Sequence, residues 1–290
     1  MPKKKIESVA LIGKQNIEPH KKFIEEVVAF LEKKKVKIFY GENIGKLLGT
    51  KGETREELLK KVDLAIVMGG DGTLLKTARS LSKRVVHVYG INFGTLGFLA
   101  ESTPDKAIEG LERIFKGKYV LDARSLLRVT VYRQGLKIST GLALNDAVIN
   151  QGIKARLIKL RVEMNQRKVN TFKADGLIIA TPTGSTGHSL SAGGPIVHPK
   201  LDAFVLTPIC PVSLSNRPIT MPNDRQLNIK VETIREYHER VALTLDGQVT
   251  YGLEYGDDVK IRRSSRKFYL IRMTGENYYK ALRAKLNWGE

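Results

Sequence analysis

The spacing of hydrophobic residues changes once along the chain, near Gly117. Before that point, short apolar runs alternate with amphipathic stretches such as PHKKFIEEVVAFLEKKK, in which apolar residues recur every three or four positions. Strands that alternate with helices in this way form parallel sheets covered by helices on both faces. We therefore predict an N-terminal α/β domain with a parallel, doubly wound sheet.

After Gly117, apolar and polar residues alternate with a period of two, which is typical of half-buried antiparallel strands. Examples are Leu127, Val129 and Val131, and later Leu227, Ile229 and Val231. This pattern predicts a β-rich, sandwich-like C-terminal domain. The expected organisation is an α/β domain over residues 1–120, a β-rich domain over 121–270, and a helical segment over 271–290 that packs back on the first domain.

The composition limits the class of protein. Of the 290 residues, 42% are hydrophobic, and no apolar stretch reaches the roughly 20 residues of a membrane helix. The N-terminus has no signal-peptide pattern, so we expect a cytoplasmic protein with no membrane partner. The single cysteine, Cys210, excludes an internal disulfide, and we expect it to be a small buried side chain.

The net charge of +19 suits either a nucleic-acid binder or a protein with a phosphate-rich ligand. The excess of lysine and arginine is dispersed in pairs and triples, and the sequence has no nucleic-acid recognition motif. We therefore interpret the charge as a solvated, lysine-rich surface, and do not expect nucleic acid as a partner.

The stretch GGDGT, residues 69–73, follows the apolar run LAIVM and precedes a predicted helix. Glycines after a strand let backbone amides approach a phosphate chain, and the start of a helix attracts anions. An aspartate there would repel phosphate, so Asp71 either holds a divalent cation or accepts a proton from an attacking hydroxyl. The alternative is a plain turn in which Asp71 caps the helix.

A second stretch, ADGLIIATPTGSTGHSLSAGGPIVHP, occupies residues 174–199 and combines hydroxyl side chains with many glycines. Such a loop offers many hydrogen-bond donors and admits close approach of a ligand. It is either a ligand-binding loop or a structural connection between strands.

Six blocks in order resemble the NAD kinase family: GGDGT, INFGTLGFLA, ALNDAVIN, the 174–199 stretch, LTPICPVSLSNRPI and LDGQ. The resemblance implies transfer of a phosphoryl group from ATP, or from polyphosphate, to the 2′-hydroxyl of the adenosine ribose of NAD, which gives NADP. It also implies a divalent cation, with Mg²⁺ the best candidate although no metal ligand can be named, and a homodimer or homotetramer.

The resemblance also assigns residues. Asp71 would be the catalytic proton acceptor, and the phosphate-donor loop would comprise Gly69, Gly70, Gly72 and Thr73. The residues implied to bind substrate are Gly72, Lys76, Phe98, Asn145, Asp146, Arg156, Lys173, Asp175, Thr186, Gly187, His188, Ser189, Leu190, Ser191 and Gln248.

Two positions depart from the family pattern: His188 stands where tyrosine is common, and Val212 stands where histidine is expected. Both changes concern ligand or donor preference more than the reaction. Two other functions stay open at this point. A lipid kinase of the diacylglycerol type also carries GGDGT, and a non-catalytic nucleotide- or nucleic-acid-binding protein would account for the positive charge.

Overall fold

The computed structural model describes residues 5–94, 97–152, 156–233, 241–275 and 278–289. The chain forms two compact units, one of Met1–Ala123 with Phe268–Glu290 and the other of Arg124–Lys267. The sequence predicts domain boundaries after residues 120 and 270, and these boundaries stay a prediction.

The first unit is built on a parallel sheet with strand order β2-β1-β3-β4. Its strands are β1 (Ser8–Gly13), β2 (Lys37–Tyr40), β3 (Leu64–Met68) and β4 (His87–Ile91). The end of a later strand, β16 (Asp258–Arg272), adds Tyr269 and Leu270 in parallel beside β4. The predicted parallel α/β architecture is confirmed.

The helices of the first unit follow the predicted order, with one addition. They are α1 (Lys21–Lys33), α2 (Glu42–Leu48), α3 (Arg55–Leu58), α4 (Asp71–Arg79), α5 (Pro104–Phe115) and α7 (Tyr278–Leu286). Helix α1 buries Ile24, Val27 and Leu31 on one face, as its spacing predicts. Thr54 and Glu57 form a capping box that begins α3. Helix α2 was not predicted; it is a short element that ends at the left-handed Gly49.

The second unit is β-rich, as predicted. One antiparallel sheet has the order β12-β11-β10-β7-β14-β15. Its strands are β7 (Asp146–Asn150), β10 (Gly176–Ala180), β11 (Ala203–Ile209), β12 (Ile219–Pro222), β14 (Val241–Leu245) and β15 (Val249–Leu253). The remaining strands are β5 (Val120–Arg133), β6 (Leu136–Ala143), β8 (Ile158–Met164), β9 (Arg167–Ala174), β13 (Leu227–Val231) and the first part of β16. Helix α6 (His188–Ser191) lies in the long loop after β10.

The core of the second unit consists of the side chains that alternate along these strands. Leu127, Val129 and Val131 of β5, for example, are at most 2% exposed and belong to one hydrophobic cluster with the alternating residues of β8, β13 and β14. The period-two prediction is therefore confirmed at the level of individual side chains.

The prediction for Cys210 is wrong, because this side chain is exposed. Strand β11 ends at Ile209, so Cys210 lies in the loop that follows. Its backbone has a φ of 44°, a left-handed conformation that is incompatible with continuation of the strand. Within the described residues, no helix combines the length and the apolar character that crossing a membrane requires.

Candidate active site

The glycine-rich loop of the first unit joins β3 to α4. All five residues of β3 are buried, and Gly69 follows with a φ of 151°. A Cβ atom added at Gly69 would lie only 2.5 Å from the hydroxyl oxygen of Thr73. Both the backbone conformation and this close contact therefore require glycine. Gly70 is the N-cap of α4, and Asp71 is the first residue of the helix. Gly72 is exposed at the helix N-terminus.

Asp71 is not the N-cap residue of its own helix, because Gly70 occupies that position. Its carboxylate instead accepts backbone N–H groups from the INFGTLGFLA block. The donors are Phe98 at 2.9 Å, Leu99 at 3.3 Å and Ala100 at 3.4 Å. Asp71 is only half-buried. The carboxylate is therefore held in one orientation beside the loop, and the capping alternative is wrong.

Two residues that the sequence did not single out support this arrangement. A Cβ at Gly97 would overlap the Asp71 carboxylate, so only glycine lets the segment approach Asp71 so closely. Arg272 donates to the Phe98 carbonyl at 2.9 Å and pairs with Glu101 at 2.9 Å. Residues 95 and 96 of the same block lie outside the described residues.

The GGDGT loop has two lysines near it. Lys76 is exposed on α4. Lys14, which sequence reasoning missed, donates its backbone N–H to Met68 O at 2.8 Å, and its Cβ lies 3.0 Å from the position of a Cβ at Gly69. The Lys14 ammonium is 5.7 Å from the centroid of the Phe93 ring. The signal that could have found Lys14 is its position directly after an apolar strand.

In the second unit, Asn145 lies in the turn between β6 and β7, and Asp146 is the first residue of β7. The backbone N–H groups of Leu144, Asn145 and Asp146 all donate to the Asp246 carboxylate. Asp146 is 4% exposed. Burial, together with the neighbouring Asp246 charge, raises the pKa of the Asp146 carboxyl to about 7. This side chain therefore gains or loses a proton near neutral pH.

The hydroxyl- and glycine-rich loop is anchored on the same turn. Thr181 donates its N–H to Asn145 O at 2.8 Å and its hydroxyl to Leu144 O at 2.6 Å. A Cβ at Gly184 would overlap the Asn145 backbone. A Cβ at Gly187 would lie 3.6 Å from the Asn145 amide nitrogen. The predicted residues of this loop and the Asn145–Asp146 pair thus form one cluster.

The predicted residues within the loop differ in exposure. Thr186, Gly187 and Leu190 are half-buried, whereas His188 and Ser191 are exposed. Ser189 is 0% exposed, and its hydroxyl bonds that of Thr207 at 2.8 Å. Ser189 therefore stabilises the loop from inside the unit.

The other predicted residues of the second unit divide into two groups. Gln248 follows Asp246 in the turn between β14 and β15 and donates its N–H to Leu245 O at 3.0 Å. Lys173 and Asp175 lie at the other end of β10 from Asn145, and the exposed Arg156 precedes β8. Ala180 pairs with Asp146 at one end of that strand, while Gly176 pairs with Asn150 at the other. Asp175 and Thr181, which flank β10, are six residues apart, so the two groups are separated by roughly 20 Å.

Family comparisons agree with these blocks. The sequence model of the ATP-NAD kinase N-terminal domain matches residues 9–119, and that of the ATP-NAD kinase C-terminal domain matches residues 144–273. The NAD kinase of Geotalea daltonii is 48% identical over 81% of this chain and 82% of its own length. The NAD kinase of Geobacter metallireducens is 42% identical over 91% and 93%.

Two solved structures share the fold. Yeast NADH kinase in complex with NADH superposes with a TM-score of 0.90 at 24% identity, covering 99% of this chain and 89% of that one. The NAD kinase of Archaeoglobus fulgidus in complex with ATP has a TM-score of 0.74 at 25% identity, covering 97% and 98%. Neither a lipid kinase nor a non-catalytic binding protein is supported by these matches. The chain therefore belongs to the NAD kinase family.

Proposed function

We propose that the protein transfers the γ-phosphoryl group of ATP to the 2′-hydroxyl of the adenosine ribose of NAD, with Asp71 as the proton acceptor. The observation that carries this proposal is the orientation of Asp71. Its carboxylate lies at the start of α4 and is held by the backbone N–H groups of Phe98, Leu99 and Ala100. The glycine amides and the helix N-terminus at this point attract a phosphate chain. ATP as the donor is supported by the Archaeoglobus relative, which was solved with ATP.

The chemistry requires positioning more than a strong base. The 2′-oxygen bonds to the γ-phosphorus, the bond from that phosphorus to the bridging oxygen breaks, and ADP leaves. The hydroxyl proton passes to the Asp71 carboxylate. Because the transition state is loose, the proton is transferred late, when the hydroxyl has become acidic, and a carboxylate suffices as acceptor.

The second unit would bind NAD through the cluster around Asn145. A side-chain amide and a buried carboxyl group lie next to the loop of Thr186, Gly187 and His188, and each offers hydrogen bonds to a ribose or a base. Phe98, Lys76 and Gly72 would contact substrate from the first unit. Gln248, in the same hairpin turn as Asp246, would extend this cluster. Arg156, Lys173 and Asp175 would bind more distant parts of the substrate, with Arg156 or Asp175 available to a neighbouring subunit.

The divalent cation expected from the family is proposed to be Mg²⁺. Mg²⁺ is commonly bound by one or two carboxylates together with substrate phosphates. Asp71 is assigned to the proton of the attacking hydroxyl, so such an ion would be held chiefly by the phosphates of the substrates. Among the residues that the structure describes, no group of three or more His, Cys, Asp or Glu side chains could hold a metal ion. When bound, the ion would neutralise phosphate charge.

Three further points remain proposals: a homodimer or homotetramer, a cytoplasmic location, and polyphosphate as a second donor. Oligomeric state would be measured by light scattering at several protein concentrations. Donor preference would be measured by replacing ATP with polyphosphate in the kinase assay.

The kinase proposal is tested by NADP formation from NAD, ATP and Mg²⁺, with NAD binding measured separately by calorimetry. The variants are Asp71→Asn and the control Asp105→Asn, which removes an exposed aspartate from the first turn of α5. We expect Asp71→Asn to lose NADP formation and keep NAD binding, while Asp105→Asn retains both. Binding of NAD by the unmodified protein without NADP formation from either donor would overturn the proposal.

A further inference from the structure

Asp246 lies in the turn of the β14–β15 hairpin, where Leu245 pairs with Val249. Asp246 and Gly247 both have left-handed backbones, with φ of 51° and 64°. Asp-Gly is a favoured pair for such turns, and asparagine serves the turn equally well. The hairpin alone therefore does not require a carboxylate at this position.

The Asp246 carboxylate is directed away from the hairpin, at a segment about 100 residues distant in the chain. Its Oδ1 accepts the N–H groups of Asn145 at 2.8 Å and Asp146 at 3.2 Å, and its Oδ2 accepts that of Leu144 at 3.1 Å. The Asp246 N–H in turn donates to Asp146 O at 3.0 Å. Asp246 is 7% exposed, so these charge-assisted bonds are shielded from water.

The turn that carries Asn145 is therefore held from two sides. Asp246 binds its N–H groups, while Thr181 binds the carbonyls of Leu144 and Asn145. With the backbone groups engaged in this way, the side chains of Asn145 and Asp146 remain to bind a ligand. A buried group that fixes the orientation of binding residues lowers the ordering cost of binding.

We infer that Asp246 is a positioning residue for NAD binding, which fixes the backbone of the Asn145–Asp146 turn without touching the substrate. The inference rests on the proposed function, in which Asn145 and Asp146 bind NAD. Asp246 acts through these two residues and not on the transferred phosphoryl group, so its removal should affect KM for NAD more than kcat.

The first variant is Asp246→Asn, which keeps a residue suited to the left-handed turn but replaces one acceptor oxygen by a donor and removes the charge. We expect KM for NAD to rise about tenfold or more, because hydrogen bonds to a charged group are lost, while kcat changes little. The pH midpoint of kcat/KM for NAD should also fall, because Asp146 would no longer have a charged neighbour.

The residues around Asp146 make the pH midpoint of kcat/KM a specific measure of the Asp246 charge. Strand β7 pairs with β10 and β14, and the residue that pairs with Asp146 on β10 is the uncharged Ala180. Of the described residues, the charged group that acts on Asp146 is Asp246. A general loss of stability would not move this midpoint.

The matched control is Asp257→Asn. Asp257 is a 0% exposed carboxylate of the same unit, which bonds Arg133 and the backbone N–H of Glu254. We expect this variant to be less stable, with KM for NAD and the pH midpoint unchanged. If Asp246 were only structural, the two variants would behave alike, and that result would overturn the inference.

Three further variants keep the test decisive. If Asp246→Asn does not fold, Asp246→Glu keeps the charge but displaces it: a raised KM for NAD supports the inference, and an unchanged KM overturns it. Asn145→Ala and Asp146→Ala test the proposed function itself. If neither raises KM for NAD, the proposed binding roles fail. If both raise it and folded Asp246→Asn does not, the positioning inference alone fails.

Discussion

The buried carboxyl group of Asp146 predicts an unusual dependence of stability on pH. The pKa of Asp146 is raised from 3.8 to about 7, first by burial and then by the Asp246 charge. Between these two values the folded protein retains a proton that the unfolded chain has released. The free energy of unfolding should therefore fall as the pH rises from about 4 to about 7, and level off above that.

The magnitude follows from the shift. A difference of about three pKa units corresponds to about 4 kcal/mol. Of this loss in the free energy of unfolding, roughly 2 to 3 kcal/mol occurs between pH 5 and pH 8, because part of the loss has already occurred at pH 5. Asp146→Asn imitates the protonated form at every pH and removes this contribution.

The assay is urea denaturation of the unmodified protein and Asp146→Asn at pH 5 and pH 8. We expect the free energy of unfolding of the variant, relative to that of the unmodified protein, to be higher by roughly 2 to 3 kcal/mol at pH 8 than at pH 5. Asp224→Asn serves as the control, because its carboxylate is 61% exposed and its loss should leave the pH dependence unchanged. A difference between Asp146→Asn and the unmodified protein that is the same at both pH values would refute the reasoning.

Three further substitutions test other contacts. Gly97→Ala would force the 98–100 segment away from Asp71, and we expect kcat to fall about 100-fold or more with the fold retained; an alanine variant of normal kcat would contradict the tight approach. Gly184→Ala would overlap the Asn145 backbone and should cost about 1 to 3 kcal/mol in urea denaturation; unchanged stability would show that the loop has room there. Asp63→Asn weakens an acceptor of two backbone N–H groups, so a loss of about 1 to 3 kcal/mol is expected by the same assay, and a variant as stable as the parent would count against it.

Much of the fold follows from local patterns. The five buried residues of β3 and the glycines after it are adjacent in sequence, so the strand, the turn and the helix start at Asp71 can all be read from one short stretch. The alternating strands of the second unit are equally local. The sequence pattern did not predict helix α2 or the exposure of Cys210, because both depend on the turns that surround them.

The supporting contacts of the site are not local. Asp71 accepts N–H groups 27 to 29 residues away, and the Asp246 carboxylate binds N–H groups 100 to 102 residues away. Periodicity carries no information about such pairs, and a backbone N–H donor leaves no mark on the side-chain sequence. The family resemblance pointed to the blocks that contain these residues, but not to the contacts between them.

The central claim is that Asp71 accepts the proton of the attacking hydroxyl. The most direct measurement is the single-turnover rate of NADP formation, with enzyme in excess over NAD and ATP saturating, for the unmodified protein and Asp71→Asn. We predict a rate at least about 100-fold lower for the variant, the usual contribution of a positioned base, with NAD still bound. A rate within about twofold of the unmodified protein would contradict the claim, because removing an essential proton acceptor must slow the chemical step.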